Sequence, residues 1–108
     1  MMTDQKKTRR QVLEEFVEKS PRDAFSRYGL AMECMSDGDA AAAIQQFGLL
    51  IEQHADYVPA YLMYGQLLAR ESRPDDAKQI LSRGIAAAAK KGDQHASSEM
   101  EALLADLG

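Results

Sequence analysis

Cys34, His54 and His95 are the side chains of this sequence best suited to covalent or metal chemistry. A thiolate activated by an imidazole attacks carbonyl carbon, and Cys and His together ligate zinc. Both chemistries need a further group: one to orient the base, or a fourth ligand to complete a tetrahedron. The sequence offers no evident third group, and one Cys with two widely spaced His lacks any metal-ligand pattern. Cys34 falls at a packing position in a helical apolar stripe, where a free thiol behaves as a small hydrophobe. His54 stands at a helix end, where a cation is electrostatically welcome. The expectation is a chain that is not an enzyme and needs no cofactor or metal.

The charged groups are the next candidates. Lys6-Lys7-Thr8-Arg9-Arg10 has the composition of a targeting or nucleic-acid element. The net charge of −4 opposes a general affinity for phosphate backbones. A solvated N-terminal lead over residues 1–7 is the simpler reading. No apolar h-region follows it, because Glu14, Glu15 and Glu18 interrupt the stripe, and no stretch reaches the roughly 20 apolar residues of a membrane span. A single Cys makes no internal disulfide and suits a reducing compartment, so a cytoplasmic location is expected.

The elements that must position any site are helices. The 108 residues allow one domain, with 45% hydrophobic and 28% charged residues and only three Pro. Val12, Leu13, Phe16 and Val17 make one apolar stripe over Thr8–Lys19. Ser20-Pro21 signals a stop and a restart, with Asp23 at the capping-box offset, and predicts a second helix from about Pro21 to Ser36. Gly38 supplies a left-handed turn and Asp39 a cap for a helix over residues 40–54, with Ala43, Phe47, Leu50 and Ile51 inward. Pro59 opens another helix, to about Glu71. Ser72-Arg73-Pro74 reads as a cap and proline start, with Asp75 and Asp76 at the positive end, Lys90 and Lys91 at the negative end and Gly92 as the stop. Asp93 starts a last helix with Ala96, Met100, Leu103, Leu104 and Leu107 on one face.

These helices repeat. Ala43 and Ala77 lie 34 residues apart, and Leu30/Tyr64, Ala31/Gly65, Cys34/Leu68, Phe47/Leu81 and Leu50/Gly84 share the offset. A fixed period of this size marks a solenoid of stacked helix pairs. The second unit, Tyr61, Tyr64-Gly65, Leu68, Ala77, Leu81 and Gly84, resembles the tetratricopeptide repeat in its order of large and small residues. The first, Arg27, Leu30-Ala31, Cys34, Ala43, Phe47 and Leu50, resembles it with one departure: Arg27 stands where the family has an aromatic. Leu13 and Phe16 extend the match backwards as the second helix of a half repeat. The resemblance spans about residues 8–92. It implies an all-α, right-handed superhelix of about six helices: a half repeat at 8–20, repeats at 24–57 and 58–91, and a capping helix at 93–107.

The resemblance further implies a concave surface lined by the first helix of each pair. Carried onto this sequence, that surface comprises Phe25, Tyr28, Met32, Met35 and Ser36, then Leu62, Met63, Gln66 and Arg70. It is apolar and rich in methionine, whose flexible thioether adapts to varied partners. Some family members clamp a peptide carboxylate with Lys, Asn and Arg; the matching positions here hold Tyr28, Met32, Pro59 and Met63, so the clamp is absent. The expected function is a non-enzymatic adaptor that takes a peptide or helix of another protein in this groove. The alternative is a self-associating structural protein, a homodimer through the same apolar face. An RNA-binding helical repeat is more remote, because it needs polar base-reading side chains on a basic surface. No nucleic-acid and no membrane partner is expected.

Overall fold

The computed structural model describes residues 6–108; residues 1–5 of the expected lead lie outside them. Six helices follow in order: α1 Arg9–Lys19, α2 Ala24–Ser36, α3 Ala40–Gln53, α4 Val58–Arg70, α5 Pro74–Lys91 and α6 Gln94–Asp106. The described residues contain no strand. Each helix packs against its predecessor, and α6 touches α4 as well as α5. The molecule measures 57 × 28 × 20 Å, elongated as a side-by-side stack of helices must be.

Short polar side chains set most of the helix starts. Thr8 and Gln11 form a reciprocal capping box on α1, with N–H to oxygen distances of 2.9 and 3.1 Å. The carboxylates of Asp39 and Asp93 accept from Ala42 N and Ala96 N at the starts of α3 and α6, as expected. Gly38 at φ 78° and Gly92 at φ 70° take the left-handed turns that precede those helices. Two starts differ from the sequence reading. Helix α2 does not begin at Pro21 under a Ser20 cap; Asp23 is the cap and accepts from Ser26 N at 3.0 Å. A helix starting at Pro21 would commit the Pro21 carbonyl to the backbone, but that oxygen accepts from Arg27 Nη2 at 2.8 Å. At α5, Ser72 is itself left-handed (φ 61°), and Arg73 is the N-cap residue without a side-chain cap bond. The Arg73 guanidinium instead pairs with Asp76 in the first turn at 2.8 Å.

One core runs through the stack. Every position of the two repeat patterns but one is buried: Arg27, Leu30, Ala31, Cys34, Ala43, Phe47 and Leu50, then Tyr61, Gly65, Leu68, Ala77, Leu81 and Gly84; Tyr64 is half-buried. Full burial of each large apolar side chain contributes about 1.5–3 kcal/mol. The small positions let the helices approach. A methyl group on Gly65 would lie 2.5 Å from Leu81 Cδ2; one on Gly84 would overlap Tyr61 Cβ and lie 2.5 Å from Met100 Sδ. Tyr61 is fixed from its other end, since its hydroxyl donates to the Ala55 carbonyl at 2.7 Å. Met100 of α6, completely buried, thus closes the stack at the same crossing.

Arg27, the departure from the repeat pattern, is 6% exposed. Its guanidinium donates to Gln46 Oε1 at 2.7 Å and to the Pro21 carbonyl, while Nε has no partner. Burial lowers its pKa from the ordinary arginine value. The charge ties the α1–α2 turn to α3, a task a larger ring would do by packing alone.

Two outcomes test this packing. Gly to Ala in a helix ordinarily stabilises by up to about 1 kcal/mol. At Gly48, where a new Cβ would rest 3.7 Å from the Tyr64 hydroxyl, that gain is expected. At Gly84 the sign reverses, with a loss of about 1–3 kcal/mol from overpacking; urea melts of Gly48→Ala and Gly84→Ala check both. Second, the hydrogen bonds to Ser26 hold the Asp23 pKa down, and those from Ala42 N and Arg10 hold Asp39 down. Folded-state values below the unfolded ones mean stability that is present above the ordinary carboxylate range and lost as pH falls through the folded pKa. The melting temperature is expected to fall below about pH 4, and less steeply in Asp39→Asn.

Candidate functional site

The residues assigned to the concave surface form two stripes. Phe25, Tyr28, Met32 and Met35 recur at helical spacing on α2, and Leu62, Met63, Gln66 and Arg70 on α4. Phe25 is 77% exposed, near the α2 N-terminus. Ser36, at the opposite end of α2, is also exposed, as are Gln66 and Arg70. Tyr28, Met32, Met35, Leu62 and Met63 are half-buried, each resting on the core with part of its surface in solvent.

Aromatic packing holds the two stripes in place. Tyr28 meets Phe47 edge-on with ring centres 6.3 Å apart and tilts against Tyr57 at 5.3 Å. On its other side Phe47 stacks on Tyr64 of α4, 5.7 Å away and 17° from parallel. Tyr28 of α2 is thereby linked to α4 through a completely buried ring of α3. Such pairs contribute about 0.5–1.5 kcal/mol each beyond their buried area. Burial pushes the phenols of Tyr28, Tyr57 and Tyr64 above their ordinary pKa, so all three stay neutral. Tyr57 was not singled out by the sequence reading; it follows an Ala-Asp pair in a turn and belongs to neither repeat pattern.

The C-terminal ends of α2 and α4 enclose a cavity of about 230 Å³ that brings Met35 and Arg70 together with Leu67. It is lined in addition by Gly38, Ala40 and Glu71, so the Arg70 cation shares the opening with one carboxylate. Phe25 lies at the far end of α2 from this cavity.

The residues weighed for catalysis do not assemble. Cys34 is 1% exposed, and burial raises the pKa of its thiol. The His54 ring lies 2.7 Å from the Arg22 carbonyl, and His95 pairs with Glu99 at 3.3 Å on the exposed side of α6. No group of three or more His, Cys, Asp or Glu able to hold a metal ion occurs among the described residues. The basic N-terminal run is engaged locally: Lys7 with Glu15 at 2.6 Å, Arg9 with Glu33 at 3.6 Å and Arg10 with Asp39 at 3.1 Å. No helix among the described residues is long and apolar enough to cross a membrane.

A buried thiol with a raised pKa is expected to react with a disulfide reagent at pH 7 only as fast as the chain opens. Native and urea-unfolded protein should differ by about a hundredfold or more in rate, given a stability of several kcal/mol.

Comparison with known proteins places this arrangement. The family profile described as "Tetratricopeptide repeat" matches residues 35–107, a span that takes in α6 as well as α3 to α5. A TPR repeat-containing protein of Pseudomonas aeruginosa is 32% identical over 97 residues, covering 88% of this chain and 90% of its own length. The solution structure of a tetratricopeptide repeat domain protein from Salinibacter ruber superposes with a TM-score of 0.77 at 35% identity, over 82% of this chain and 89% of that one. The type III secretion translocator chaperone SycD of Yersinia enterocolitica shares the fold, with a TM-score of 0.84 over 91% of this chain and 68% of its own, at only 14% identity. Its period, its small-residue helix crossings and these likenesses agree: this chain belongs to the tetratricopeptide repeat family.

Proposed function

We propose that this protein is a non-enzymatic binding module that receives an apolar segment of another protein along the α2 and α4 stripes. Members of the family generally mediate protein–protein interaction, and the geometry here supports that use. The observation that carries the reading is Phe25: a large apolar side chain held 77% exposed by a well-capped helix, in line with half-buried Tyr28, Met32 and Met35. Exposed apolar area of this kind is offset when a partner covers it. On this reading Leu62 and Met63 of α4 supply the second apolar stripe, and the exposed Gln66 and Arg70 its polar rim. The partner is a peptide or an amphipathic helix with apolar anchors, bound with modest affinity because a groove of two helix pairs is short. The buried, unpaired Cys34 suits work in a reducing cytoplasm.

The clean test uses the exposed positions, since Met32 and Met63 also support the core. Phe25→Glu and Gln66→Glu are expected to leave the urea melt within about 0.5 kcal/mol of the parent. In affinity capture from the native cell, Phe25→Glu is expected to deplete the partner bands about tenfold, a change of roughly 1.4 kcal/mol. Undiminished capture overturns the assignment. Light scattering separates the self-association reading: a parent chain that dimerises and a Phe25→Glu chain that stays monomeric would make a second copy the occupant.

A further inference from the structure

A second opening shares no residue with the α2 and α4 stripes. It lies between the α3–α4 turn and α5 and encloses about 350 Å³. Its floor is the edge of Tyr61 with Ala86 and Ala87, and its rim carries Arg83, Lys90 and Lys91 against one carboxylate, Asp56. The protein as a whole is acidic, with 17 carboxylate and 13 basic side chains, so this opening reverses the sign of its surroundings.

The floor is rigid. Tyr61 is 2% exposed, its hydroxyl bound to the Ala55 carbonyl and its Cβ lodged at Gly84. Arg83 sits over the Tyr61 ring at 5.9 Å, a weak cation–π contact that favours the guanidinium beside the opening. Among the described residues, Arg83 and Lys90 have no carboxylate within 4.0 Å, whereas Lys7, Arg9 and Arg10 do. The Lys91–Asp56 pair is long at 3.7 Å and both side chains are at least half exposed, so it yields readily to another anion. Helix-end electrostatics accounts for Lys90 and Lys91 but not for Arg83, which stands mid-helix.

We propose that this opening binds an acidic peptide in extended form. Arg83 and Lys90 are seven residues apart on one helix, about 10 Å along its axis. A polyproline-II segment rises about 3.1 Å per residue with three residues per turn, so side chains three positions apart share one face about 9 Å apart. Two carboxylates at that spacing therefore meet both cations. The volume is at the lower end of ordinary ligand sites, in keeping with a tetrapeptide and not a folded partner.

The test titrates the ¹⁵N-labelled full chain with a blocked Glu-Ala-Val-Glu peptide, its Gln-Ala-Val-Gln counterpart and inorganic phosphate. The expected result is saturable shifts at Arg83 Nε and the amides of Ala86, Ala87 and Lys90 with the glutamate peptide. Affinity should fall at least about tenfold with the glutamine peptide, and by a similar factor in Arg83→Gln and in Lys90→Gln. Both positions are exposed, and a parent-like urea melt of each variant shows that the fold is kept. Equal binding of the two peptides, shifts centred on α2 and α4, or phosphate saturating the same amides as tightly as the glutamate peptide each overturns the proposal. Failure of the α2–α4 groove would leave it standing, because Phe25 and Met63 take no part in it.

Discussion

A helix backbone can lie directly against a large side chain of its neighbour only where it has almost no side chain of its own, and the fold depends on that constraint. Gly84 lets α5 lie against Tyr61 and Met100, and Gly65 lets α4 lie against Leu81. Large residues fill the space on either side of each crossing, and Phe47, Leu68 and Leu81 have essentially no exposed surface. Alternation of this kind at a constant period fixes both the distance and the angle between successive helices, so the stack is regular.

The surface proposed for binding is a by-product of that regularity. Because the buried face of α2 is committed to Leu30, Ala31 and Cys34, the neighbouring stripe of Phe25, Tyr28, Met32 and Met35 is left at the surface. The aromatic chain from Tyr57 through Tyr28 and Phe47 to Tyr64 ties this stripe to α4. A partner of the kind proposed would meet a preformed surface and need not order it, which would reduce the entropic cost of binding. The thioethers of Met32, Met35 and Met63 keep some adaptability on an otherwise fixed backbone.

Much of this was legible in the residues, and the exceptions have physical reasons. The period, the buried Ala43, Phe47, Leu50 and Ile51, the turns at Gly38 and Gly92 and the caps at Asp39 and Asp93 follow from size and local chemistry alone. The start of α2 did not, because the Pro21 carbonyl is claimed by Arg27, a residue from the next helix turn held down by Gln46 of α3. A guanidinium at an aromatic position reads as a mismatch until its two acceptors are seen. The Ser72 cap failed because Ser72 takes the left-handed turn itself, which puts Arg73 at the cap position, where its guanidinium pairs with Asp76. Of the proposed site, helical spacing alone places the α2 and α4 residues in stripes, while the link through Tyr57 and the shared cavity of Met35 and Arg70 depend on contacts between distant segments.

Whether the stack rests on these close crossings can be read directly from proton–proton distances in solution. The account requires strong nuclear Overhauser contacts from the Gly84 Hα protons to Tyr61 Hβ and the Met100 methyl, and from Gly65 Hα to the Leu81 methyls. Contacts of that strength would establish that the helices touch where the side chains vanish. Their absence, with the six helices still formed, would contradict the packing from which both surfaces follow.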